Sequence, residues 1–171
     1  MKKNAKFVVC IAVSAFMVSL GLTDCAADVE SADSRPDVVF TEPDNLEVNS
    51  AMEHARKTFP EFWKAQAKDD PDYSDFNVKI GLPTPAGDTE HIWVSNVSQK
   101  LGRYTGTLIN VPYNLAEIEY GDEVTFKIEQ ISDWQYVKNG KSEGNFTTRV
   151  LLKDMSTEKA NQIRAMLGWD K

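Results

Sequence analysis

Cysteine is nearly absent from this chain of 171 residues: Cys10 and Cys25 lie near its start and none follows. A disulfide beyond residue 25 is thereby excluded, as is a cysteine nucleophile there, and the body of the chain has to be held by an ordinary core. Histidine is equally scarce. His54 and His91 are the whole supply, and neither stands in H-E-x-x-H or H-x-x-E-H spacing, so no metal site is assigned. There is no G-x-S-x-G elbow, no P-loop and no G-x-G-x-x-G. Serine-nucleophile and nucleotide chemistry are therefore unsupported, Ser95, Ser98 and Ser132 stand in no marked context, and no cofactor is implied. Positive charge is short as well: 19 Lys and Arg against 26 Asp and Glu give a formal charge of −7. An acidic surface disfavours nucleic acid and anionic membrane as partners, and its plainest service is solubility.

What is present begins with a leader. Lys2, Lys3 and Lys6 form a basic n-region, Val8 to Leu22 an uncharged apolar h-region, and Ala26 and Ala27 supply small residues after it. That is the pattern of a bacterial secretory signal peptide over residues 1–27. The apolar run is short for a stop-transfer anchor, which needs about 20 residues. Two cuts compete. One follows Ala27, with Cys25 and Ala27 as the small pair. The other reads "LTDC" as a lipoprotein box with Cys25 as the lipidated residue, although Asp24 fits that box poorly. The exported chain is expected in the periplasm or outside the cell, or else as an envelope lipoprotein. A lipid on Cys25 would be its one link to a membrane.

Residues 28–45, "DVESADSRPDVVFTEPDN", are acidic with two prolines and read as a tether. A single domain is expected over 46–171. Met52, Ala55, Phe59, Phe62 and Trp63 recur at helical spacing. Pro60 interrupts them and Thr58 with Glu61 forms a T-x-x-E box, so the pattern predicts two short helices or a kinked one, near 49–57 and 59–68. "DDPDYSD" lacks the spacing of a calcium loop and reads as a solvated turn. Strands follow. Phe76, Val78, Ile80 and Leu82 alternate; "EHIWVSNV", "GRYTGTLINV" and "VTFKIEQ" continue the series; and "WQYV-KNGK-SEGNFTTRVLL" reads as a hairpin about Asn139-Gly140. The apolar phase slips between Ile128 and Ile131, which predicts a β-bulge near Gln130. "STEKANQIRAML" before Gly168 is a short capped helix. "NVS" and "NFT" match the glycosylation pattern but lie in strand-like runs behind a bacterial leader, so they carry no weight. There is no internal repeat and no βαβ alternation. The class is α+β: a helix or helix pair packed on a curved, mostly antiparallel sheet of about five strands, with a short C-terminal helix.

The strand "EHIWV", the step "GTLINVP", the turn "YGDEV" and the end "ISDW" stand in that order. Together they resemble the bacterial domain of unknown function 2314 family, also called YegJ-like, over about residues 50–152. The resemblance implies no catalytic residues, since the family's activity is unassigned. It implies a small domain found alone in exported proteins or beside other modules, which points to a binding or accessory role.

Within the strands, His91 and Trp93 share one face while Glu90 and Ile92 share the other. Asp133 follows the expected bulge and either orients His91 from a neighbouring strand or accepts backbone N–H groups left by the bulge. Trp134 either closes the core edge with its indole N–H bonded or is displayed, together with Tyr104, Tyr113, Tyr120 and Tyr136. The expected function is a non-catalytic binding module whose polar-aromatic sheet surface, built from Glu90, His91, Trp93, Asn110, Asp133 and Trp134, meets a protein or small ligand. The alternative is a metal-dependent or hydrolase-like enzyme using His91 with Glu90 and Asp133. A third reading is a sheet that contacts only a second copy, as a homodimer.

Overall fold

Asn45 starts the first helix, because its Oδ1 accepts a hydrogen bond from the Val48 N–H at 3.1 Å. The computed structural model describes residues 7–11, 37–41 and 44–170, and the cleavage and lipidation positions Ala27 and Cys25 lie outside these. Helix α1 runs Leu46–Gln66 without a break. The T-x-x-E pattern predicts a second start at Thr58. Instead the Thr58 hydroxyl donates back to the His54 carbonyl at 2.8 Å, and Pro60 stays inside the helix. Proline removes one helical hydrogen bond. Burial of Val48, Met52, Ala55, Phe59 and Phe62 offsets that loss, since tertiary packing supplies most helix stability.

Eight strands are described: β1 (Phe7–Ile11), β2 (Asp37–Thr41), β3 (Tyr73–Pro83), β4 (Thr89–Lys100), β5 (Arg103–Leu108), β6 (Glu123–Phe126), β7 (Ile131–Lys138) and β8 (Lys141–Gly144). The last six form an open sheet in the order β6-β5-β4-β3-β7-β8, with every neighbouring pair antiparallel. Composition places residues 7–11 and 37–41 in a leader and a tether, yet the backbone forms a strand in each. "FVVCI" and "DVVFT" are rich in the β-branched and aromatic residues that suit strands. β1 pairs antiparallel with β2 and runs parallel to the first three residues of β4.

The α1 face of the sheet carries the core: Val78, Ile80, Ile92, Val94, Leu108, Phe126, Ile131 and Trp134 pack with Ala55, Phe59 and Phe62. Between β3 and β7 the register slips by one residue, because Lys79 faces Asp133 while Ile80 faces Ile131. The extra residue is therefore Ser132, just beyond the expected position at Gln130, and residues 128–130 form a 3-10 turn.

The hairpin turns at Asn139-Gly140, both with φ near the left-handed region (50° and 73°) as a type I′ turn requires. Its second strand is shorter than the alternation predicts. At Gly144 φ is +80°, and a Cβ there would lie 2.2 Å from the Trp134 carbonyl oxygen, so only glycine fits. Asn145 follows at φ 53°. These two residues turn the chain into helix α2 (Phe146–Leu151), where "NFTTRVL" had suggested strand. Helix α3 (Thr157–Met166) starts at Ser156, whose Oγ accepts from the Lys159 N–H. After it, the Trp169 indole N–H donates to the Ser142 carbonyl at 2.8 Å and ties the C-terminal segment to the hairpin. Among the described residues no helix is long and apolar enough to cross a membrane.

Candidate functional site

The segment between β5 and β6, residues 109–122, has no regular structure, and three polar side chains hold it. Glu90 is buried on β4 and spends both carboxylate oxygens on this loop: Oε1 accepts from the Tyr113 N–H at 2.6 Å and Oε2 from the Asn114 N–H at 2.7 Å. Asn110 continues the β4–β5 ladder with its side chain, since its Oδ1 accepts the Trp93 N–H at 2.9 Å while the Ile109 N–H donates to the Trp93 carbonyl at 3.0 Å. Asp122 Oδ2 accepts the Glu119 N–H at 2.9 Å. The carboxylate bonds of Glu90 and Asp122 are charge-assisted and the stronger ones, so the loop is fixed although it is irregular. Leu115 and Ile118 turn inward onto the core. Val111 (57% exposed), Tyr113 (55%) and Tyr120 (64%) turn outward.

The sheet face opposite α1 is polar but buried. A line crosses three strands: Asp133 on β7, Lys79 on β3 and Trp93 on β4. Lys79 Nζ donates to Thr147 Oγ1 at 2.9 Å and lies 4.6 Å from the Trp93 ring centre, and the Thr147 hydroxyl in turn donates to Asp133 Oδ2. Asp133 also accepts the N–H groups of Trp134 (2.9 Å), Phe146 (3.1 Å) and Thr147 (2.8 Å). Burial pushes its carboxyl above the usual range, while the Lys79 charge and these hydrogen bonds pull it back. Further along the hairpin, Gln135, Ser142 and Asn145 bond one another.

His91 faces Gly81 across β4 and β3, and a Cβ at position 81 would stand 3.0 Å from His91 Cε1. The glycine of "KIGL" thus leaves room for the imidazole. Burial, then the charges of Lys79 and Arg56, push the His91 pKa down to about 3. An unfolded histidine titrates near about 6.5. Between those values the unfolded chain binds a proton that the folded chain does not, so stability falls as pH falls through this window. At pH 4.5 the loss from His91 is about 2–3 kcal/mol relative to neutral pH. Asp133, shifted upward, titrates in the opposite sense above its ordinary value, and the comparison of two chains removes its share. Thermal melts at pH 7.5 and 4.5 should therefore show a smaller acid-induced drop for His91→Gln than for the parent. Equal drops would show that the imidazole is not held neutral.

The structure places the six expected site residues in four separate duties. Glu90 and Asn110 hold the 109–122 loop, Asp133 holds the start of α2, and Trp93 stacks under Lys79 while His91 lies over Gly81. Trp134 points to α1, where its indole N–H donates to the Ala55 carbonyl at 3.0 Å and to Thr58 Oγ1 at 3.3 Å. All six are buried. His91 and Trp93 share a face with Asp133, whereas strand alternation puts Glu90 on the α1 face. Lys79 lies between the strands of His91 and Asp133. Among the described residues no group of three or more His, Cys, Asp or Glu could hold a metal ion. Of the displayed aromatics expected, Tyr104 is buried and stacks on Trp63 and Phe126, Trp134 is buried, Tyr136 is half-buried, and Tyr113 and Tyr120 are exposed. Lys79, Thr147 and Gln135 had no linear signal, because a polar residue alternating in a strand reads as solvent-facing.

Comparison with known proteins agrees with the motif order. The family model described as "Uncharacterized protein conserved in bacteria (DUF2314)" matches residues 45–171, so it takes in α3 as well as the "EHIWV" to "ISDW" stretch. The chain is 36% identical over 124 residues to "Uncharacterized protein YegJ" of Escherichia coli, covering 72% of this chain and 79% of that protein. It is 29% identical over 140 residues to a putative ankyrin repeat protein of Neisseria meningitidis serogroup B, covering 78% of this chain and 55% of that protein. No solved structure matches it significantly. With its helix start at Asn45, its loop-holding Glu90 and its Asp133-capped α2 all inside the matched span, the chain belongs to the DUF2314 family of bacterial proteins.

Proposed function

We propose that the chain is an exported protein of the bacterial envelope that works as a non-catalytic binding module, with the 109–122 loop as its contact surface. The leader-like residues 1–27 support export, either with cleavage after Ala27 or with lipidation of Cys25. The loop carries the binding part. A buried carboxylate and a buried amide fix its backbone, and the apolar side chains it then shows to solvent are Val111, Tyr113 and Tyr120. A rigid segment that displays tyrosines loses little entropy on binding. Exposed Glu117, Glu119 and Glu123 lie in or next to the same loop, so the matching partner is a protein segment with basic and apolar side chains. The resemblance to a longer ankyrin repeat protein, of which this chain covers about half, supports a module that serves beside others.

A photo-crosslinking residue placed at Tyr113 or Tyr120 in living cells tests this reading. Adducts are expected at both positions, weakened by salt, and none at Leu101, which is 94% exposed on a distant turn. Fractionation should place the protein in the envelope. The Tyr113→Ala, Tyr120→Ala double variant should lose the partner while its stability stays within roughly 0.5 kcal/mol per site. Equal adducts at Leu101, or none at either tyrosine, would refute the surface.

A further inference from the structure

β4 is longer than the strand beside it. β5 covers it from Val94 to Lys100, and residues 109 and 110 extend that cover to Trp93. The remaining slot, Thr89–His91, is filled by β1 in a parallel pairing, with Phe7 opposite Thr89, Val8 opposite Glu90 and Val9 opposite His91. β1 lies within the leader, from Phe7 into its apolar stretch. Hydrolysis of the chain after Ala27 would remove β1 and vacate the slot. Without β1 the backbone donors and acceptors on this edge of Thr89–His91 lose their partners.

The next strand out is β2. It is antiparallel to β1, and β1 is parallel to β4, so β2 already runs antiparallel to β4. Through the shared β1 partners, Thr41 lies level with Thr89, Phe40 with Glu90 and Val39 with His91. We propose that leader removal is followed by a strand exchange, in which the chain's own Asp37–Thr41 moves one strand inward and pairs with Thr89–His91 of β4 in this register. The shift is one strand spacing, about 4.8 Å. Residues 42–45 connect β2 to α1 and can span more than that, at about 3.3–3.6 Å each. The exchange replaces a parallel pairing by an antiparallel one, which is slightly more stable per residue. The tether would then pair directly with the domain's own strand only after processing. The inference rests on the export reading, and its test separates the two.

The full-length chain carrying Thr41→Cys and Thr89→Cys is expressed in the envelope, with and without a leader-peptidase inhibitor. Two strand spacings, about 10 Å, separate these positions while β1 is between them, beyond the roughly 7 Å limit for a disulfide. Direct antiparallel pairing brings opposed Cα atoms to about 4.5–5.5 Å. Intact mass reports processing, and peptide mapping reads the link between positions 41 and 89. The expected result is a link within the processed chain and none in the inhibited precursor. The pair Asp37→Cys with Thr89→Cys should give no link in either. A processed chain without the link, or with it only between two copies, overturns the exchange while export stands. A chain that keeps its leader without inhibitor overturns both, and its mass identifies that case.

Discussion

Trp134→Ala should lower the thermal midpoint by about ten degrees or more, the equivalent of about 3–5 kcal/mol for a domain of this size. The side chain is only 3% exposed and sits where α1, α2 and the sheet meet. Its ring packs edge-on against Phe146 at 5.3 Å and Phe62 at 6.3 Å, and stacks on Tyr136 at 5.8 Å. Truncation would open a cavity between α1, α2 and the sheet. It would also leave the Ala55 carbonyl without the indole N–H it accepts. Trp134→Phe brings out the hydrogen bond, since an aromatic ring, though a smaller one, is kept and the indole N–H is lost. It should cost about 1–2 kcal/mol. A midpoint unchanged in Trp134→Ala would mean that "ISDWQY" displays its tryptophan, and that the packing described for α1 is wrong.

The period-2 runs were legible in the sequence, and so was the order of elements. Phe76, Val78, Ile80 and Leu82 do share the core face, and Asn139-Gly140 does make the hairpin turn. The caps of α3 were legible because Ser156 and Gly168 act on neighbours three or four residues away. What could not be read depends on remote partners. α2 exists because Asp133, thirteen and fourteen residues upstream, accepts the first N–H groups of the helix. The local residues alone are β-prone and suggested strand. The unbroken α1 is similar: Pro60 is a breaker in isolation, and the buried face of the helix overrides it. The candidate site shows the same division. That His91 and Trp93 share a face followed from alternation, but that Glu90 would bind backbone N–H groups of Tyr113 and Asn114 did not. Nor does binary pattern distinguish Lys79, fully buried under a polar layer, from a lysine facing water.

Asp133→Ala should cost as much as the tryptophan, about 3–5 kcal/mol, for a different reason. Asp133 accepts three backbone N–H groups and the Thr147 hydroxyl, all of them in a buried layer. Alanine leaves these donors without their acceptor and leaves the Lys79 ammonium buried without its counter-charge. Lys79→Met should cost less, about 1–2 kcal/mol, because Asp133 keeps its hydrogen bonds and the lysine stem is replaced by an apolar one. The double variant should fall short of the sum of the singles by about 1.5–3 kcal/mol, since removing the second charge relieves the first. Urea unfolding measures all three, and amide exchange locates the damage. In Asp133→Ala the amides of Phe146 and Thr147 should lose protection while those at the centre of β3 keep theirs, because α2 is fastened to the sheet through this carboxylate and through Phe146. If Lys79→Met proved the costlier single change, the ammonium would be the anchor of this layer and Asp133 only its counter-ion. A strictly additive double would show instead that the two charges are independent, and that Thr147 between them transmits nothing.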